Sequence, residues 1–111
     1  MALPTFHIKQ NDTSPTLDVF LRDDKGRIVS VTGATVLFHL RLASDLSAKI
    51  TNGSVTLVDS SAGHVRYTFT AANMDTAGTY QGEFQVTFAD ATVESFPNNG
   101  YIKVVITDDV A

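Results

Sequence analysis

The side chains with the most reactive chemistry are three histidines, His7, His39 and His64, and a scatter of carboxylates. Three imidazoles could ligate zinc, but a zinc site needs three or four convergent donors. These histidines have no H-x-H or H-x-x-x-H spacing and fall on three separate strand-like stretches. Asp23 and Asp24, with Asp90 or with Asp108 and Asp109, could gather oxygens around calcium. They lack the dense alternation of acids before a glycine that a dedicated calcium loop uses. Acids in such places cap turns by bonding to nearby backbone N–H groups. Glu83 and Glu94 flank a turn, where a carboxylate pair across a hairpin would offer an acid and a base. Glycosidic chemistry also needs a cleft that a chain of this size is poorly able to build. Ser60, Ser61 and Ser95 have no evident base, and no nucleophile elbow or glycine-rich phosphate loop occurs. The sequence therefore names no catalytic, cofactor-binding or metal residue, and it predicts a protein that is not an enzyme.

The bulk properties narrow the partners. The chain has 111 residues, 43% hydrophobic and 18% charged, a globular composition that excludes disorder. Eight basic residues against twelve acidic ones leave a net charge of −4, and the lysines and arginines stand singly. Nucleic-acid binding draws its affinity from clustered cations, so nucleic acid is excluded as a partner, and so is an anionic membrane. There is no cysteine, which removes disulfides and thiolate chemistry and fits a reducing cytosol. No apolar run approaches the ~20 residues of a membrane span, and residues 1–9 lack the basic start and apolar stretch of a secretory signal.

The elements that must position any site read as strands. Apolar residues alternate with polar ones at Phe6 and Ile8; at Leu17, Val19 and Leu21; and at Val36, Phe38, Leu40 and Leu42. The pattern repeats at Val65, Tyr67 and Phe69, at Tyr80 through Phe88, and at Ile102, Val104 and Ile106. Ile28 to Val31 is a brief apolar piece, and Ile50 belongs to a short strand without a clear pattern. Residues 70–75 read as one helical turn capped by Thr70. About seven to nine short strands separated by turns predict an all-β, immunoglobulin-like antiparallel sandwich. It forms a single domain over 1–111, with its core over about 5–107 and a frayed tail at 108–111. The in-phase positions give the expected core: Leu17, Val19, Leu21, Val36, Phe38, Leu40, Tyr67, Phe69, Phe84, Val86, Ile102 and Val104.

Asp75-Thr76-Ala77-Gly78-Thr79-Tyr80 opens the longest alternating strand. It resembles the tyrosine corner of immunoglobulin-like domains, whose phenol bonds back to upstream backbone. Asp75, Gly78 and Tyr80 are its expected structural residues, with Gly78 allowing a sharp bend. Antibody-type domains place a disulfide cysteine two residues after the tyrosine and a tryptophan on the third strand. Gly82 and Phe38 stand in those places here. Phe20, Leu37, Phe96 and Tyr101 fall out of phase with the core. Together they predict an apolar patch, the kind of surface that marks a protein contact.

A longer pattern runs through the chain. It comprises Ile8 to Pro15, Leu21 to Gly26, Val31 to Val36, Gly63 to Tyr67, Ala77 to Tyr80 and Glu94 to Asn98. In order and spacing it resembles the N-terminal domain of the tailed-phage baseplate upper protein family, over about residues 6–107. The resemblance implies a virion structural module assembled in the host cytoplasm. It would be present in multiple copies or as a homo-oligomer, and packed against other virion structural proteins. In the family this domain usually heads a longer protein carrying receptor-binding modules. The chain is expected to be one domain, so receptor binding is not carried over; a tail, baseplate or capsid accessory, adaptor or decoration protein is. The competing function is a soluble sandwich that binds carbohydrate or peptide, since fold alone does not decide function.

Overall fold

Side-chain alternation forces each strand to show one face to a core and one to water. The computed structural model, which describes residues 5–14, 16–97 and 100–108, satisfies that requirement with two stacked sheets. The strands are β1 (Thr5–Lys9), β2 (Leu17–Phe20), β3 (Thr35–Leu42), β4 (Ala48–Ser54) and β5 (Thr56–Asp59). They continue with β6 (His64–Tyr67), β7 (Gly78–Thr87), β8 (Val93–Phe96) and β9 (Ile102–Thr107). The larger sheet runs β1-β9-β7-β3-β4, with β8 also on β7; the smaller runs β2-β6-β5. The protein is an all-β sandwich of the immunoglobulin-like kind. Pro15, Asn98 and Asn99, which belong to the sequence patterns above, lie outside the described residues, as does the expected tail beyond Asp108.

One pairing departs from the expected antiparallel arrangement. β1 lies parallel to β9, from Thr5 opposite Lys103 to Lys9 opposite Thr107. Alternation reports which face a residue occupies, and it carries no information on strand direction.

The long strand β7 is the spine. One edge pairs with β3 along its whole length, from Tyr80 opposite Leu42 to Thr87 opposite Thr35. Its other edge is shared: β9 covers Gly78 to Gly82, and β8 covers Phe84 to Thr87. Glu83 falls between these two pairings.

Phe38, Tyr67, Phe69 and Phe84 form the aromatic centre of the core. The Phe38 ring centroid lies 4.6 Å from Tyr67, 5.0 Å from Phe84 and 6.2 Å from Phe69. Of the expected core, all but Val19 are buried. Val19 packs against the core but stays half-buried, because β2 is an edge strand of the smaller sheet. Phe38 lies directly over Gly82: a Cβ there would stand 3.0 Å from Phe38 Cζ and 3.3 Å from Leu40 Cδ1. The ring thus packs on bare backbone at the position where antibody-type domains carry a disulfide cysteine.

Candidate interaction surfaces

The corner fixes how the sheets meet. Thr70 caps a 3-10 turn over Ala71–Met74, its hydroxyl accepting from Asn73 N at 3.3 Å. Met74 is buried, which plants the turn on the core. The Tyr80 hydroxyl then donates to the Thr76 carbonyl at 2.8 Å. Burial raises the Tyr80 pKa above its ordinary value, so the phenol keeps its donating proton. Gln10 Nε2 donates to the Asp75 carbonyl at 2.7 Å, and Asn11 N to the Met74 carbonyl at 2.7 Å. The end of β1 is thereby tied to the same turn. The Asp75 carboxylate pairs with Lys49 on β4, and that hydrogen bond, followed by one from Thr76, holds its pKa below the usual carboxylate value. Gly78 opens β7 with a φ of 158°, a positive value that L side chains rarely adopt, just after the 3-10 turn. Replacing Tyr80 with Phe keeps the ring and orphans the Thr76 carbonyl. We expect a loss of about 1–3 kcal/mol in urea denaturation, and an unchanged midpoint would show that the bond contributes nothing.

The four residues expected to form one apolar patch do not do so. Phe20 is 51% exposed on the outer face of the smaller sheet. Leu37 is half-buried on the outer face of the larger sheet, the opposite side of the molecule. Tyr101, 42% exposed, lies just before β9. Phe96 is not a surface residue: it is 2% exposed and pairs directly with Phe84, which puts it on the core side of β8. Its position beside a turn made it look out of phase, but β8 is too short for its own alternation to show which face is buried.

On the smaller sheet, Phe20 has polar and apolar neighbours. β2 and β6 pair Phe20 with His64 and Asp18 with Arg66. The Phe20 and His64 rings stack with centroids 4.4 Å apart. Arg66 Nε donates to Asp18 Oδ1 at 2.6 Å, and this bond is the main cause of the lowered Asp18 pKa. His64 Nε2 is buried under Phe20's neighbourhood at 3.7 Å from the same oxygen, too far for a hydrogen bond. Ile28, 51% exposed, joins this side through its bridge to Arg22, and Val58 on β5 is exposed as well. Ile28 and Val58 were not singled out from sequence. Ile28 was readable: with Val31 buried and Val29 packed on the core, strict alternation turns Ile28 outward.

The residues considered for catalysis stay apart. The histidines lie on β1, β3 and β6, and no group of three or more His, Asp or Glu close enough to hold a metal occurs among the described residues. Glu94 pairs with Val86 and so shares the face opposite to that of Glu83. The turn acids bond locally: Asp23 accepts from Lys25 N and Arg27 N, each at 2.9 Å, and Asp90 from Thr92 N at 3.1 Å. His39 is held on both sides. Asn52 N donates to its Nδ1 at 3.2 Å, which leaves Nε2 to carry the proton toward Gln85 Oε1 at 2.7 Å. On the same outer face a shallow pocket of about 250 Å³ opens between β3, β4 and β7, with Arg41, Leu46, Gln81, Glu83 and Tyr101 around it.

No curated protein matches the chain. The BppU N-terminal domain family, the N-terminal domain of the baseplate upper protein, matches residues 5–99. That span runs from the start of β1 through β8 and includes the corner, the whole smaller sheet and every strand of the larger sheet except β9. With a match over most of its length and a two-sheet sandwich beneath it, the chain belongs to the baseplate upper protein N-terminal domain family, a family of phage baseplate structural domains.

Proposed function

We propose that the protein is a non-enzymatic virion component, a tail, baseplate or capsid accessory, that docks on other virion structural proteins through the outer face of its smaller sheet. The observation that carries this reading is the exposure of Phe20 (51%) on the same strand face as the Asp18–Arg66 pair, with Ile28, also 51% exposed, bridged to Arg22 farther along that strand direction. An apolar centre with charged groups at its margin is the anatomy of a protein contact. The acidic balance and unclustered cations argue against nucleic acid and anionic lipid as the surface that Phe20 meets. Among the described residues no helix is long and apolar enough to cross a membrane.

The test is a virion assembled with Phe20→Ser and Ile28→Ser together. Both side chains are already half in water, so the isolated variant is expected to melt within a few degrees of the parent, since surface changes of this kind usually stay within about 0.5 kcal/mol each. Incorporation into particles, read by quantitative immunoblot of purified virions, is expected to fall to background. Normal incorporation of the folded variant would return the contact to another face.

A further inference from the structure

The pocket on the larger sheet exists because the strands on either side of β7 and β3 are interrupted. On one side β4 slips register against β3 twice, around Leu40, with Asn52 in the left-handed region at φ 57°. On the other side β8 gives way to β9 opposite Glu83. Leu46, 56% exposed, and Tyr101 rise as two apolar walls. Between them the floor carries Arg41, Gln81 and Glu83.

The floor is part-committed and part-open. Arg41 Nε donates to Gln81 Oε1 at 2.7 Å, which fixes the plane of the guanidinium and the roll of the amide. That leaves the terminal nitrogens of Arg41 and the amide nitrogen of Gln81 as donors without a partner among the described residues, and the Glu83 carboxylate as an acceptor likewise without one. One cation and one anion share the pocket, so a charged ligand would gain from one and lose to the other. A neutral ligand that both donates and accepts meets neither penalty. Neighbouring hydroxyls on a ring do this: they donate to Glu83 and accept from Arg41 and Gln81. The C–H face of the same ring would pack on Tyr101, as an amphipathic aromatic at a binding surface favours. A volume of about 250 Å³ lies just below the range of drug-sized sites, and it suits one ring.

We infer that this pocket binds a single neutral pyranose residue, free or at the end of a glycan. The site lies on the sheet opposite Phe20, so its failure and the failure of the docking surface are separate results.

The test is a heteronuclear NMR titration of the ¹⁵N-labelled full chain with D-glucose, D-galactose and N-acetylglucosamine, with glucuronate and glucosamine as charged counterparts. The expected result is saturable shifts at the amides of Leu46, Gln81, Glu83 and Tyr101 for at least one neutral sugar. The dissociation constant should lie at about 1–10 mM, the weak range of a small open site. The charged counterparts should bind more weakly. Glu83→Gln and Tyr101→Leu should each weaken binding about tenfold, with melting temperatures unchanged because both side chains lie outside the core. Absence of saturable shifts with every neutral sugar, shifts centred elsewhere, tighter binding of a charged counterpart, or equal binding by the folded variants would each overturn the assignment.

Discussion

Phe38→Ala is expected to cost about 3–5 kcal/mol, the upper range for deleting a buried aromatic. Against the about 5–15 kcal/mol by which domains are typically stable, that is a third or more of the total for all but the most stable. The ring is fully buried and contacts three other aromatic rings. The floor beneath it is Gly82, with no side chain to move in, so the cavity cannot collapse from that direction. Adding a methyl at Gly82 tests the same packing from below, since it would press on Phe38 and Leu40; overpacking of this kind costs about 1–3 kcal/mol. Urea denaturation of both variants checks the pair. A Phe38→Ala midpoint close to the parent would mean that the aromatic cluster is not the centre of stability.

Gly63→Ala is expected to be nearly as damaging. Gly63 is buried, has φ 69°, and ends the short 3-10 turn over Ser60–Ala62. A Cβ there would stand 2.4 Å from the Val29 carbonyl oxygen and 3.2 Å from that of Leu21. These are backbone atoms that hydrogen bonds hold in place: Leu21 N donates to the Gly63 carbonyl at 2.8 Å and Val29 N to the Leu21 carbonyl at 3.0 Å. Relieving the clash means moving the 28–31 segment, which in turn threatens the bond from Val31 N to the Ser60 carbonyl. The left-handed backbone alone costs an alanine about 1–2 kcal/mol, and overpacking adds about 1–3 kcal/mol. Gly26→Ala is the internal control. Gly26 has φ 80° but nothing within 4 Å of its Cβ, so only the backbone cost applies. Denaturation curves should separate the two, and equal losses would mean that the close approach to Val29 is relieved without cost.

What could be read from the sequence, and what could not, follows the physics of alternation. β3, β7 and β9 are long enough for period two to reveal the buried face, and their inward residues are those the pattern picks out. β4 is a full strand over Ala48–Ser54, yet only Ile50 hinted at it. Its two register shifts break the period, and Thr51, Asn52 and Gly53 carry no apolar signal. β5 shows no buried residue at all, because it is the edge of the smaller sheet. For the surface residues, Phe20 was correctly turned outward by its buried neighbour Leu21. Phe96 was misassigned because four residues of β8 between two turns do not set a phase. The corner was legible because its residues are adjacent in sequence: Asp75 to Tyr80 is one uninterrupted motif, and the Tyr80 phenol reaches only to Thr76. The pocket was not legible. Its residues come from three strands and two connections, and they meet only once β4 bulges and β9 replaces β8 along β7.

The parallel contact between β1 and β9 also determines how the domain bears load. Thr5 sits beside Lys103 and Lys9 beside Thr107, so the path enters at one end of the sandwich and leaves at the other. Tension between those two ends pulls β1 and β9 lengthwise past each other. The evenly spaced bonds of a parallel ladder are then strained together, in shear, and do not open one after another like a zip. Gln10 N to the Thr107 carbonyl, and the Gln10 and Asn11 bonds to the corner, extend that grip past the end of β1. The rate of forced unfolding is set by what must break first, and tension applied between those two ends meets a whole row of bonds at once.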